Sequence, residues 1–399
     1  MTLHNHIACK LCEYEAQLVP YIPQGGNWKD LPDKFHDKRL DSIRATGGRT
    51  TYYGRLRWDK PSYTIATYFN RVPNGCNIHP AQNRILSNRE AARLQSFPDS
   101  FVFKGSKASQ FKQIGNAVPP LLARYVSSLI KSHLQSYNFV DLFAGCGGLS
   151  EGFIMNGFQL VAANEIDSNI MLTNEFNHSR YAPKENFILG DITKPQVQQR
   201  LFDACEGKKI DVIVGGPPCQ GFSYAGWRDP NDKRNQLFRE FVAVVCKLQP
   251  KFFVMENVPG ILTMKGGDTI KEIIAAFREV GYYVSKPIKL NAEDYGVPQK
   301  RRRVFIIGSL NPDIQIESST PFFSDDDANL PRFVTVKDAI GNLPPITDGG
   351  GEMETDFTFD KKSAYDRLML QEIGFEEFYD LSLSLIPHGF LDVHGHYPN

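Results

Sequence analysis

Between residues 139 and 309 short apolar runs alternate with longer stretches of helical period. "NFVDLFAG" predicts a buried strand and "GLSEGFIMNGF" the helix after it. "QLVAANEID" and "SNIMLTNEFN" repeat the pair, and "NFILGDI" predicts a shorter third strand. "IDVIVGGPP" predicts a fourth, ending in a Gly-Pro loop. "RNQLFREFVAVVCKLQP" has helical periodicity, with Pro250 past its end. "KFFVMENVPG" predicts a fifth strand, and "TIKEIIAAFREVGY" an amphipathic helix closed by Gly281. "YYVSKPIKLNAEDYG" and "RRVFIIGSL" predict a final strand pair. Such alternation builds an α/β fold, a mostly parallel sheet covered on both faces.

The flanks have another texture. Residues 20–80 are rich in Gly, Pro, Arg and Tyr, with short alternating runs such as "SYTIATYF", and predict an irregular β-rich module. "SNREAARLQS" opens with a capping-box pattern, Ser87 followed by Glu90. "PPLLARYVSSLIKSHL" is an amphipathic helix with prolines at its start. It ends close to the first strand, and the two are expected to pack in one domain. Residues 311–362 are Pro, Gly and Asp rich and loop-like. There is no internal repeat. "HNHIACKLC" crowds His4, His6, Cys9 and Cys12 together, yet no second Cys pair follows. An amphipathic helix is expected there rather than a zinc site.

A length of 399 residues suits two or three domains. No apolar run approaches the roughly 20 residues of a membrane span, and "MTLHNHIACK" lacks a signal-peptide core. Seven cysteines without framework spacing fit a reducing cytosol. Charge changes the picture more. The formal net charge is zero, but residues 1–136 carry 19 Lys+Arg against 9 Asp+Glu, and residues 310–399 carry 5 against 17. A basic block in a foldable segment points to an anionic partner, nucleic acid first. The acidic end either forms a solvated tail or packs beside the basic block.

The chemistry gathers where strands end. "DLFAGCGG" lets backbone approach a ligand closely, and no Gly-Lys-Ser/Thr follows to make a P-loop. Glu165 ends the second strand, placed for ribose hydroxyls. Asp191 follows the third, placed for an adenine amine. Adenosine without a phosphate cradle favours S-adenosylmethionine over NAD. On the other side Cys219 sits on a loop stiffened by Pro217 and Pro218. Glu256 ends the fifth strand, where a desolvated carboxyl holds a proton near neutral pH. Arg301 and Arg303 alternate into a strand and so share a face with Gln299. A thiol nucleophile, an acid and two guanidiniums form one constellation.

With these residues in hand, the sequence resembles the DNA (cytosine-5) methyltransferase family. The resemblance rests on "FVDLFAGCGG", "NEID", "GDI", "GGPPCQGFS", "FVMENVPG", "YGVPQKRRRVFIIG", "NREAARLQSFPDSF" and "QIGNAVPP", which together touch most of residues 80–310. It implies a Rossmann-like, seven-stranded catalytic domain, a smaller target-recognition domain and duplex DNA as partner. By position it implies Cys219 as the nucleophile at cytosine C6 and Glu256 as the acid at N3. Arg303 would lie near O2, with Arg301 beside it. Cofactor contacts would be Phe143, Gly145, Gly147, Glu165, Ile166, Asp191, Ile192, Pro218 and Asn116. Ile166 stands where some members carry a tryptophan over the adenine. Gln220, Ser223 and Arg234 belong to a stretch, 221–234, that resembles a loop closing on DNA. Thr64, with Ile65, matches a pair set against DNA. Arg55, Arg57, Tyr63 and Arg71, among Arg49, Tyr52, Tyr53 and Tyr68, suit phosphate and base-edge contacts.

In the usual family order "QIGNAVPP" comes last; here it precedes the glycine turn, so the chain resembles a circularly permuted member. Expected boundaries are 1–85 for the later part of the recognition domain and 86–136 for the last motifs. The catalytic domain follows at 137–320, and the front of the recognition domain at 321–399. The expected activity is site-specific methylation of duplex DNA through a flipped base, in a bacterial restriction-modification system. The expected protein is a monomer in the bacterial cytosol or nucleoid, with no metal and no membrane contact. A cognate endonuclease would act on the same site without a required complex. Two readings compete: a tRNA methyltransferase of the same chemistry, and a non-catalytic DNA-binding subunit of a two-chain system.

Overall fold

The alternating runs build one sheet of eight strands. The computed structural model describes residues 2–218 and 237–386. The elements used below are, in chain order, β1 (Thr2–Ile7), α1 (Asn88–Leu94), α2 (Lys107–Asn116), α3 (Pro120–Lys131), β2 (Asn138–Leu142), α4 (Gly148–Met155), β3 (Gln159–Glu165), α5 (Ser168–His178), β4 (Phe187–Leu189), β5 (Val212–Gly215), α6 (Leu237–Leu248), β6 (Phe252–Asn257), α7 (Asp268–Glu279), β7 (Tyr283–Val284), β8 (Ile288–Asn291), β9 (Arg302–Ser309) and β10 (Gly351–Asp356). The sheet order is β7-β9-β6-β5-β2-β3-β4, with β8 also on β9. Strands β2 to β6 run parallel, and β9 is antiparallel to β6, β7 and β8. Tyr283 faces Ser309, and Ile288 faces Phe305 further along the same β9. So β7 and β8 are one strand line, interrupted near Pro287, which has no N–H for a ladder. The seven expected strand positions therefore hold eight strands.

Alternate residues of the strands supply two cores. Phe139, Val212, Phe252 and Phe305 face one layer, with Leu121, Val126 and Phe153 of α3 and α4. Val140, Ile213, Phe253 and Val304 face the other, with Phe241 of α6 and Phe277 of α7. Helix α3 thus lies in the same layer as β2, as the sequence suggested. It meets α4 backbone to backbone at Gly152, where a Cβ would fall 2.3 Å from Pro120 O. Lys131 Nζ donates to Asn156 O at 2.6 Å, and Gln159 N to Tyr137 O at 2.9 Å. Only residues 132–137 separate that helix from its neighbouring strand.

Residues 11–85 enclose a small core of their own, centred on Leu18, Trp28, Leu40, Tyr53 and Ile78. The β-rich expectation is corrected here: the strands are Gly54–Arg55, Ser62–Tyr63 and Cys76–Ile78, and turns and short helices fill the rest. Arginines do what a ladder would. Arg44 donates to the carbonyls of Leu31, Pro32 and Phe35. Buried carbonyls need donors from somewhere, and irregular backbone cannot supply them all.

The N-terminal "HNHIACKLC" is also corrected: it opens in strand β1, not in a helix. β1 pairs antiparallel with β10, Thr2 opposite Asp356 and Ile7 opposite Gly351. His6 is buried and its ring nitrogens meet Ser87 Oγ (2.9 Å) and Pro344 O (2.8 Å). Both of its donor or acceptor positions are therefore in use. The acidic end packs against the basic front: Lys60 pairs with Asp325 (3.1 Å), Arg93 with Asp366 (2.7 Å), and Arg124 with Glu376.

Candidate active site and cofactor cradle

Strands β2, β3 and β4 end side by side. Gly145 N donates to Glu165 Oε2 at 2.9 Å, which ties the glycine turn to the end of β3. Glu165 Oε1 accepts from Ile166 N and Asp167 N, both at 2.9 Å. A carboxylate offers about four acceptor positions, so Oε2 keeps one for a hydroxyl. Burial pushes the Glu165 carboxyl up, and those three N–H groups pull it down. Ile166, 66% exposed, and Leu189 leave apolar surface open at the ends of β3 and β4. Asp191 is half-buried, with Oδ1 accepting from Thr193 N at 3.0 Å, and Ile192 beside it is buried.

The turn itself is buttressed. Gly147 has φ +94°, and a Cβ there would fall 2.4 Å from His178 Cε1. His178 Nδ1 pairs with Asn174 Oδ1 (2.8 Å) and Nε2 with Glu151 Oε2 (3.1 Å). Phe143, half-buried, turns the chain at φ +55°, a strained setting for a non-glycine residue. Asp141 below it is wholly buried; its Oδ2 accepts from Ser150 Oγ at 2.6 Å, and burial pushes its carboxyl up to about 7. Cys146 donates to Gln113 O at 3.7 Å, and a Cβ on Gly148 would fall 2.5 Å from Val118 O. These two contacts bracket Asn116, exposed at the end of α2, and bring it to the rim of the turn. An acceptor position on Glu165, a second acid and open apolar surface suit an adenosine. Burial pushes the Cys146 thiol up to about 12, so this cysteine is inert.

The reactive half lies across β6 and β9. Arg303 Nε stands 2.7 Å from Glu256 Oε1, both side chains 13% exposed. Burial raises the Glu256 carboxyl above its ordinary value, while Arg303 and then Arg301 draw it down. Asn257 Nδ2 donates to Pro217 O at 3.3 Å and pins the start of the loop after β5. Pro218, half-buried, is the last described residue before the nucleophile candidate. Cys219, Gln220, Ser223, Arg234 and the rest of the 221–234 loop lie outside the described residues.

Arg301 is corrected. It does not share the partial exposure of Arg303, being 1% exposed, and its hydrogen bonds run to backbone carbonyls rather than to Glu256. Nη1 donates to Ile65 O (3.1 Å), and Nη2 to Gly115 O (2.8 Å) and Ala117 O (3.0 Å). Three of its five N–H donors thus go to backbone carbonyls, and Nε–H is buried without a hydrogen-bond partner among the described residues. Gln299 is equally buried, donating to Leu94 O and accepting from Ile65 N.

The residue pattern of the family described as "C-5 cytosine-specific DNA methylase" matches residues 3–132 and 137–379, both flanks and the sheet. The chain belongs to this family. A Type II methyltransferase of Desulfomicrobium norvegicum, M.DdeI, is 42% identical over 240 residues, 58% of this chain and 54% of that protein. M.NgoPII, a Type II methyltransferase of Neisseria gonorrhoeae, is 41% identical over 206 residues, 51% of this chain and 56% of that protein. The chain thus spans about half the length of the curated relatives it matches. A solved E. coli prophage protein, described as a DNA modification methyltransferase, is 35% identical with a TM-score of 0.45, covering 58% of this chain and 64% of that one.

For a member of this methylase family, the DNA-reading candidates divide. Arg55 is corrected: it is buried and gives all its donors inward, to Ile22 O, His79 O, Gln82 O, Val19 O and Asn83 Oδ1. Tyr53 is buried too, bonded to Asp37. Arg49, Arg57, Tyr63, Thr64, Tyr68 and Arg71 are exposed. Arg57 is forked onto Asp59 at 2.6 and 2.9 Å, and Thr64 Oγ1 donates to Lys300 O at 2.7 Å. Segment 62–63 pairs in parallel with 299–300, so exposed Tyr63 and Thr64 adjoin the chain entering β9. Sequence reasoning missed the Glu151–His178–Asn174 buttress. Its signal was available, since Asn174 and His178 are four apart on one helix face. Asn257 was passed over because its partner lies on another strand's loop. No helix among the described residues is long and apolar enough to cross a membrane.

Proposed function

We propose that this chain is a site-specific DNA (cytosine-5) methyltransferase of the kind found in bacterial restriction-modification systems. The reading rests most on one observation: Glu256 and Arg303 form a mostly buried pair at the strand ends, with Pro217, two residues before Cys219 in the sequence, bonded to Asn257 of the same β6. S-Adenosylmethionine would supply an electrophilic methyl group from the cradle at Glu165, Asp191, Ile166 and Asn116. The Cys219 thiolate would add to C6 of a cytosine taken out of the stack, forming a C6–S bond. Glu256, whose carboxyl burial shifts toward the protonated form while Arg303 and Arg301 draw it back, would donate at N3 as charge develops there. Arg303 holds the Glu256 carboxyl in place and presents positive charge to the ring oxygen. C5, now nucleophilic, takes the methyl; loss of the C5 proton to a base then expels Cys219 and restores the ring.

The chain order would follow from circular permutation. Supporting this are α3 packed on α4 next to β2, and β1 paired with β10, which joins the first residues to the segment after the catalytic sheet. The boundaries proposed for the domains remain 1–85, 86–136, 137–320 and 321–399, with duplex DNA as partner and the bacterial cytosol as location. The test is covalent trapping. The purified chain is incubated with S-adenosylmethionine and a PCR product in which 5-fluorocytosine replaces cytosine. A complex stable to denaturant is expected with the natural chain and none with Cys219→Ser. Trapping on tRNA alone, or undiminished trapping by the variant, would overturn the reading.

A further inference from the structure

Three segments meet at the Arg301 guanidinium, and each brings a different task. Ile65 belongs to the segment that puts Tyr63 and Thr64 on the surface. Gly115 and Ala117 flank Asn116 at the rim of the cofactor cradle. Arg301 itself stands two residues before Arg303, the partner of Glu256. Its Nη1 takes the Ile65 carbonyl, and its Nη2 takes both carbonyls around Asn116. The segments are otherwise in contact through bare backbone: a Cβ on Gly115 would fall 2.5 Å from Ala66 C and Thr67 N. Thr64 Oγ1 adds a bond to Lys300 O at 2.7 Å, and Ile65 N donates to Gln299 Oε1 at 3.0 Å. Residues 64–67 are thus tied by hydrogen bonds and close backbone contact both to 115–117 and to the start of β9. The guanidinium is rigid and planar, so its two ends cannot move apart.

We infer that Arg301 is a positioning residue that couples occupancy of the DNA-facing segment 63–67 to the cofactor rim at Asn116, rather than a residue that touches the base. This rests on the methyltransferase reading above. Coupling between sites is reciprocal: whatever factor DNA applies to cofactor affinity, the cofactor applies to DNA affinity. A lysine at this position keeps charge and donors but cannot hold both ends in one plane.

The experiment is calorimetric titration of S-adenosylhomocysteine into the full chain, alone and with a 30-base-pair duplex carrying the site mapped by bisulfite sequencing. The natural chain is expected to bind the cofactor product about 5- to 150-fold more tightly when DNA is present, the usual span of such couplings. Arg301→Lys is expected to bring that factor below about 2 while affinity without DNA changes far less. A merely structural role would weaken both titrations alike and leave their ratio intact. If Arg301→Lys does not fold, Gly115→Ala tests the same contact by forcing 115 away from 66–67, and the same collapse of the ratio is expected. Equal ratios in natural and variant chains, or a natural ratio near one, would overturn the inference. Absence of any S-adenosylhomocysteine binding by the natural chain would instead sink the methyltransferase reading.

Discussion

Replacing Glu256 with Gln removes the one carboxylate that, among the described residues, pairs with Arg303. The Arg303 guanidinium is 13% exposed, and Nη1 keeps only the carbonyl of Arg302. Arg301, behind it, is of the same sign and buried. Breaking a buried pair by deleting one partner costs about 3–5 kcal/mol. The small opening to water puts this site near the lower figure, about 3 kcal/mol, or a fall in Tm of about 6 °C at about 2 °C per kcal/mol. Glutamine also cannot deliver a proton, so turnover should fall about 10²- to 10⁴-fold with DNA binding kept. Thermal melts and a tritiated-methyl filter assay read the two effects separately. The double variant Glu256→Gln/Arg303→Met should regain stability, because neither partner is then left buried alone, yet stay inactive. The pH dependence has a sign. The folded Glu256 carboxyl lies above its ordinary value, so the stability it contributes is complete below the unfolded value and is lost as pH rises through the folded one. Activity that needs its proton should fall on the same alkaline limb, and Glu256→Gln should lack that limb. A Glu256→Gln chain as stable and active as the natural one would refute the reasoning.

Three other outcomes follow from the geometry. Gly147→Ala places a Cβ at φ +94° and 2.4 Å from His178, so cofactor affinity by calorimetry should drop at least about tenfold, with a loss of about 1–3 kcal/mol in stability; unchanged affinity would contradict the buttress. Arg93→Met leaves Asp99 and Asp366 buried without the cation that bonds them at 2.6 and 2.7 Å, and chemical denaturation should show a loss of about 3–5 kcal/mol; a loss under 1 kcal/mol would mean the acidic C-terminal segment is not held there. Cys9→Ser/Cys12→Ser should change stability by no more than about 0.5 kcal/mol, since His6 is committed to Ser87 and Pro344; stoichiometric zinc in the natural chain by metal analysis would contradict this.

The sheet was legible because its signals are local. Buried strands such as "KFFVMENV" and helices such as "TIKEIIAAFREV" carry their period within one window. The glycine turn, Glu165 and Glu256 were legible because each ends a strand, and ligands gather at those ends. What was not legible depends on residues far apart in the chain. Arg301 and Arg303 look alike in "QKRRR", and only the carbonyls of 65, 115 and 117 separate their roles. Arg55 reads as a DNA contact until Val19, Ile22 and His79 are seen around it. The 20–80 region reads as β-rich because its alternation is real, but its carbonyls are answered by arginine side chains instead of a neighbouring strand. "HNHIACKLC" forms a strand because β10 lies against it, a partner more than 340 residues away.

The central claim is tested most directly by bisulfite sequencing of unmethylated plasmid DNA after incubation with the purified chain and S-adenosylmethionine. The account predicts conversion-resistant cytosines at one short recurring sequence, absent with Cys219→Ser. Complete conversion, with methyl instead found on adenine, on the cytosine amine or on tRNA alone, would contradict it.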